Sequence, residues 1–412
     1  VYQNISKPME KGFKGPAGAS ILPSPMIISG LPDNVCEDVE SKFTPMGLMP
    51  VAGAASGNLD KTDKTQLEVG GPLAVPLVTG DIGMTIMGTV TDIVESQVYG
   101  FGHSFMGYGA VELPMATGTI HTVVSSVVSS FKFGSAKKIV GTLNADESTA
   151  VRGQIGNTPT MIPLKVTVDR YNDPQLRTYN CRVAQNEVLT PQLVGSVASG
   201  AVNMLGSLPK ENTVIYSAEI GVEGYQPIKY SNISAGLGIA EMLVETASTA
   251  TLLMNNPFKQ LKIKYVDLDI EVLAEDKMSH IWTLEVPDRQ VKPGESINIE
   301  IVTEAVLAGK KKFTYELKIP ENLKPGKYKY SVMGGYDYEK FLKKARPNRF
   351  TASNIDTLLK AIRNSVKVDR SKMYCLLLHS TSGIMIENAE LPDLPPTKSL
   401  ILLETKKTLD AY

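Results

Sequence analysis

Glycine and proline cut this sequence into short apolar pieces, and that punctuation constrains the fold more than any other feature. The 34 glycines and 25 prolines are spread along all 412 residues, a distribution that suits strands joined by turns. No apolar run approaches the ~18 residues of a spanning helix, so no membrane span is expected. At 44.6 kDa the chain exceeds one compact core, and two or three domains are expected.

Charge narrows the function classes. Lys and Arg number 42 against 43 Asp and Glu, a net of −1, which supplies no general attraction to nucleic acid or an anionic membrane. Apolar residues at 42% are too many for a disordered chain. Cys36, Cys181 and Cys375 lie far apart with no CxxC among them, so a zinc or redox motif is excluded and the redox compartment stays open. The sequence starts at Val1 with no visible signal or transit segment, and reads as a mature product or a fragment.

Five regions are expected. Residues 1–70 form an irregular arm and a small α/β unit: a strand at Met26–Pro32, then a helix from Asp33 to Phe43 with Asp33 or Asn34 as N-cap. Residues 71–160 carry the densest strand signal, at Leu73–Val78, Met84–Val90 and Gln97–Phe101. Residues 161–258 read as an α+β domain. Thr190-Pro191 opens one helix with the right cap and first-turn proline, and Gly238–Asn255 forms a second.

Residues 259–333 read as an immunoglobulin-like β-sandwich, with strands at Leu261–Leu273, His280–Val286, Ser296–Val302, Lys312–Ile319 and Lys327–Val332. In the first of these the apolar phase flips, which predicts a bulge near Tyr265–Val266. Trp282 is expected in the sandwich core. Residues 334–412 begin helically, with Ser353 capping a helix through Asp356, and end in a strand pair at Tyr374–Leu378 and Leu400–Leu403. The fold class is therefore mainly β with α+β parts and a helical C-terminal tail.

Four histidines are the first place to look for chemistry: His103, His121, His280 and His379. His280 beside Trp282 reads as packing, His379 as a surface or turn residue, and His121 equally well as a residue facing the same space as His103 or as an ordinary strand residue. No HExxH, HxH or carboxylate cluster suggests a metal, and no GxGxxG suggests a dinucleotide, so neither metal nor cofactor is expected. Lys310-Lys311-Lys312 and Lys340, Lys343, Lys344 with Arg346 read as solvated basic faces.

His103 stands apart, in Gly100-Phe101-Gly102-His103-Ser104-Phe105-Met106-Gly107-Tyr108-Gly109. Glycines on both sides permit backbone conformations closed to other residues and close approach of another group. A histidine on such a turn can serve as general base. The alternative is a glycine-rich hairpin that happens to include a histidine. No nucleophile accompanies it: GxSxG is absent, the pairs Ser125-Ser126 and Ser129-Ser130 lack a tight glycine turn, and no cysteine has Gly or His neighbours.

A resemblance enters through a set of words: Gly80-Asp81-Ile82-Gly83, Gly88-Thr89-Val90, the histidine block Tyr99–Phe105, Gly109–Met115 and Gly141–Asp146. Together they resemble the SpoIVB peptidase family, serine peptidases of family S55, in the long form of bacterial envelope proteins. Ile28–Pro32, Asn255–Phe258 and Pro347–Thr351 extend the likeness over most of the chain. The resemblance implies a chymotrypsin-like (PA-type) barrel, here incomplete, over residues 71–160. It implies His103 as general base, paired with a serine in a GMSGSP-like turn that this sequence lacks and that lies N-terminally in the long members. Asp146 is the candidate acidic third member.

The expectation is accordingly an extracytoplasmic serine endopeptidase or its processed C-terminal fragment, acting on protein or peptide. A non-catalytic structural or assembly protein of the bacterial envelope is the alternative. The implied partners are an N-terminal segment of the same precursor or a neighbouring subunit, with a homo-oligomer as a further option and no nucleic acid.

Overall fold

The structure is a computed structural model that describes residues 24–53, 58–60, 62–125, 130–287, 290–305, 309–378, 384–386, 389–391 and 397–398. It divides into two units, one ending at Glu275 and one starting at Asp276. Among the described residues no helix is long and apolar enough to cross a membrane.

The first unit opens with β1 (Ser24–Ser29), α1 (Asp33–Phe43) and β2 (Leu48–Gly53), with β1 and β2 parallel. Helix α1 has the predicted limits, and Val35, Val39 and Phe43 bury its inner stripe. Pro32, rather than Asp33 or Asn34, occupies the N-cap position.

Six strands follow: β3 (Pro72–Gly80), β4 (Gly83–Val94), β5 (Gln97–Gly100), β6 (Gly109–Val124), β7 (Phe131–Asp146) and β8 (Val151–Ile155). Each pairs antiparallel with two others, in the ring order β3-β4-β5-β8-β7-β6, and the Ala74–Ala116 pair closes β6 back onto β3. The expected incomplete barrel is thus corrected. This chain's own strands close the ring, and no segment is needed to cover an open edge there.

Side-chain size sets how tightly the ring closes. Met115, Leu113, Leu73, Val98 and Leu143 are fully buried in it. A Cβ at Gly141 would collide with the Gln154 backbone oxygen and fall 2.7 Å from Met115, and one at Gly153 would fall 2.6 Å from the Met115 sulfur and 2.9 Å from the Thr142 oxygen, so neighbouring strand backbone together with Met115 requires glycine there.

From β3 the sheet continues outward through β10 (Arg177–Ala184), β9 (Met161–Arg170), β13 (Ile263–Leu273), β11 (Thr213–Val222) and β12 (Ile228–Ala235). Helices α2 (Leu189–Asn203) and α3 (Ala240–Met254) pack on it. Val188, rather than Thr190, occupies the N-cap position of α2, and Thr190-Pro191 lies inside its first turn, where the Thr190 hydroxyl accepts the Asn186 amide and donates to Ala184 O, both at 2.8 Å.

Strand β13 corrects the sandwich expectation. It pairs parallel with β9 and antiparallel with β11, so it belongs to the first unit. The predicted bulge is present and falls at Lys264, between the pairs Val222–Ile263 and Gly221–Tyr265.

In the second unit β14 (Ser279–Glu285), β15 (Ser296–Ala305) and β16 (Gly309–Lys318) form one sheet, and β17 (Lys329–Gly334) pairs with β18 (Met373–Leu378). Ile297, Ile299, Ile301 and Ile319 make the core, with Tyr330, Val332 and Cys375 packed against it. Trp282 is not in that core: it is 58% exposed. The pairing slips between Ile281 and Thr283, which releases Trp282 from the alternation, and the Lys310 ammonium covers its ring at 3.8 Å.

The helices are α4 (Gly335–Ala345) and α5 (Ile355–Ser365). Asn354, not Ser353, caps α5, and the reciprocal bond comes from Thr357 instead of Asp356. Leu400–Leu403 and His379 lie outside the described residues.

Candidate functional site

The loop between β5 and β6 carries His103, and its backbone explains the glycines. Phe101 and Gly102 both have positive φ, 70° and 72°, and Gly107 and Gly109 follow at 74° and 71°. For Phe101 that conformation costs on the order of 1–2 kcal/mol. Compensation comes from packing: its ring lies directly over Gly88, where a Cβ would be only 2.5 Å from Cε2. The same ring meets Phe105 edge-on at 6.2 Å and the His103 imidazole edge-on at 5.8 Å.

Asp146 closes the loop. It is the last residue of β7 and only 1% exposed. Its Oδ1 accepts the Phe105 amide at 2.6 Å, and its Oδ2 accepts those of Met106 and Gly107, both at 2.7 Å. Three consecutive N–H groups converging on one carboxylate form a built anion cradle that the chain fills itself. Burial and the nearby Asp146 charge push the Tyr108 phenol above its ordinary range.

His103 is half-buried at the rim. Its Nδ1 donates to the Ser104 carbonyl at 2.7 Å. A carbonyl only accepts, so Nδ1 carries the proton and the neutral ring presents its lone pair at Nε2. Among the described residues Nε2 has no hydrogen-bond partner. The structure therefore brings Asp146 to the backbone of the loop that follows His103, and not to the imidazole itself.

The other sequence candidates lie elsewhere. His121 sits at the opposite end of the β6–β7 hairpin, where its Nε2 is 3.0 Å from the Ser135 hydroxyl on an exposed face. Sequence reasoning missed Ser135, because no local word marks a cross-strand pair. His280 is exposed on β14, which corrects its reading as a packed residue. Ser126 and Ser129 lie outside the described residues. No group of three or more metal-ligating side chains occurs among the described residues.

A cavity of about 650 Å³ lies by the β11–β12 turn, lined by Gly221, Tyr225, Lys264 and Tyr265. Beside it the Glu219 carboxylate accepts the Tyr265 hydroxyl at 2.6 Å and pairs with Lys229 at 2.7 Å. No family model, no curated protein and no solved structure matches the chain.

Proposed function

We propose that this chain is the base-bearing part of a SpoIVB-type (family S55) serine endopeptidase, with the nucleophilic serine supplied by polypeptide outside this sequence. The observation that carries the reading is His103, held at a loop rim by one Nδ1–H···O=C bond, with no partner for Nε2 among the described residues. The ring order β3-β4-β5-β8-β7-β6 supports it, being the Greek-key order of a chymotrypsin-type barrel.

In this reading Nε2 takes the proton of the serine hydroxyl as that oxygen attacks the peptide carbonyl, and later returns it to the leaving amine. The Ser104 carbonyl fixes the tautomer and faces the N–H of the imidazolium that forms. Asp146 is a positioning residue, acting through the backbone of residues 105–107. An extracytoplasmic location belongs to the same proposal.

The test uses the complete product of the natural gene, labelled with a fluorophosphonate probe. The expected result is a labelled serine, with labelling abolished in His103→Ala at unchanged thermal stability. Labelling that survives His103→Ala overturns the assignment. A complete absence of labelling leaves the second reading, a non-catalytic envelope assembly protein. One observation favours that alternative: both Asp146 oxygens are spent on the loop, which is complete without a ligand.

A further inference from the structure

We infer that the second unit mediates self-association, through antiparallel pairing of β16 with β16 of a second copy of this chain. The inference is independent of the peptidase reading.

Strand β16, Gly-Lys-Lys-Lys-Phe-Thr-Tyr-Glu-Leu-Lys, is the end strand of its sheet, and every residue but Leu317 is exposed. Its pairing with β15 runs from Ser296–Lys318 to Ala305–Gly309 without a register shift. The edge is thus long, regular and free of proline, and its protection is charge alone, from Lys310, Lys311, Lys312 and Lys318. Among the described residues no backbone group pairs with its outer side.

The occupant follows from the order of residues about Thr314. A two-fold axis through Thr314 sets Phe313 against the partner's Tyr315 and Lys312 against the partner's Glu316, each pair occurring twice by symmetry. Phe313 and Tyr315 stand opposite Ile301 and Ile299 of β15, so they share the face of the core, yet they remain 44% and 47% exposed. Pairing would gather four aromatic rings on that face and two Lys312–Glu316 pairs on the other, where each Lys312 ammonium, 2.7 Å from Glu300 of its own chain, would be shared between two carboxylates; both kinds of cross-strand contact stabilise sheets.

Two like-charged pairs result, Lys310 against the partner's Lys318, one at each end of the ladder. Lys310 there lies over Trp282, and Lys318 is 3.8 Å from Glu321. The opposite edge of the sheet is protected: β14 carries a register shift between Ile281 and Thr283. Association through β16 therefore closes at two copies instead of propagating.

Sedimentation velocity of the whole chain over a range of concentrations tests this. A monomer–dimer equilibrium is expected, and Glu316→Lys or Lys312→Glu alone should weaken it at least about tenfold. The double swap Lys312→Glu with Glu316→Lys should restore it, since the pair is regenerated across the interface. Thr314→Cys, on the axis, should cross-link to itself under oxidation, whereas Lys310→Cys should not. A chain monomeric at every concentration overturns the inference, as would occur if β16 accepted only an acidic strand of another protein. A dimer indifferent to Glu316→Lys and without the Thr314→Cys cross-link places the interface elsewhere and also overturns it.

Discussion

The Asp146 carboxylate accepts the Met106 amide at 2.7 Å across forty residues of chain, tying the end of β7 to the loop that carries His103. Its two neighbours in that loop, Phe105 and Gly107, donate to the same carboxylate. His103 and the carboxylate that holds its loop are therefore separable by mutation.

Asp146→Asn keeps the size of the side chain and removes one acceptor. An amide has a single acceptor oxygen, so its NH2 must face at least one of the three donors, of which Phe105 N–H is buried. The expected loss is about 3 kcal/mol in urea unfolding. Amide hydrogen exchange at Met106 and Gly107 should accelerate with it. Unaltered stability together with unaltered exchange at those amides would show that the carboxylate does not hold the loop.

Gly88→Ala attacks the same loop from the barrel wall. Gly88 has no positive φ, so an alanine is conformationally tolerated there, and its effect is steric. The new methyl would collide with Phe101 at 2.5–2.7 Å, inside any real contact distance. Displacing that ring removes the packing that offsets the positive φ at Phe101. A loss of about 1–3 kcal/mol is expected, with proteolytic cleavage appearing within residues 101–108. Paired with Phe101→Ala the clash disappears, so the two effects should be strongly non-additive in a double-mutant cycle.

Local signals in the sequence carried the parts of the fold that depend on local physics. Helix α1 has the predicted limits because apolar spacing and the Phe43-Thr44-Pro45 exit are local. The glycine-framed turn at His103 is visible because glycine is what positive φ requires. Ring closure was not legible: it depends on Ala74 meeting Ala116, and nothing in either neighbourhood marks that pairing. The same holds for β13, whose alternation fixes its faces but not which sheet it joins. Asp146 was found through a resemblance that implied contact with an imidazole. Its three amide partners are a tertiary relationship that no spacing encodes.

Trp282 is the chain's single tryptophan, so intrinsic indole fluorescence reports on one place. With 58% of its surface exposed and Lys310 over its ring, it should emit as a solvated indole and be quenched readily by acrylamide. Trp282→Ala should cost no more than about 1 kcal/mol, well short of the ~3–5 kcal/mol of a core aromatic. A blue-shifted, quencher-resistant emission would contradict the exposed placement.

Cys181 provides a pH-dependent test of the barrel-to-sheet junction. It lies on β10, opposite Gly80 of β3, and is 5% exposed. Burial pushes its thiol up to about 11, against an ordinary value near 9.0. Between those values the unfolded chain carries a thiolate while the folded chain keeps its proton, so the unfolded state binds fewer protons. Stability is therefore fully present below about pH 9 and falls as pH rises towards about 11, by on the order of 2–3 kcal/mol. Other groups titrate in the same window, so the informative quantity is the difference between wild type and Cys181→Ala. The variant's stability should decline less steeply over that interval, whatever its offset at neutral pH. Equal slopes would mean that Cys181 ionises as freely in the folded chain as in the unfolded one. In native protein, half-exposed Cys36 and Cys375 should alkylate first, and Cys181 only as the chain unfolds.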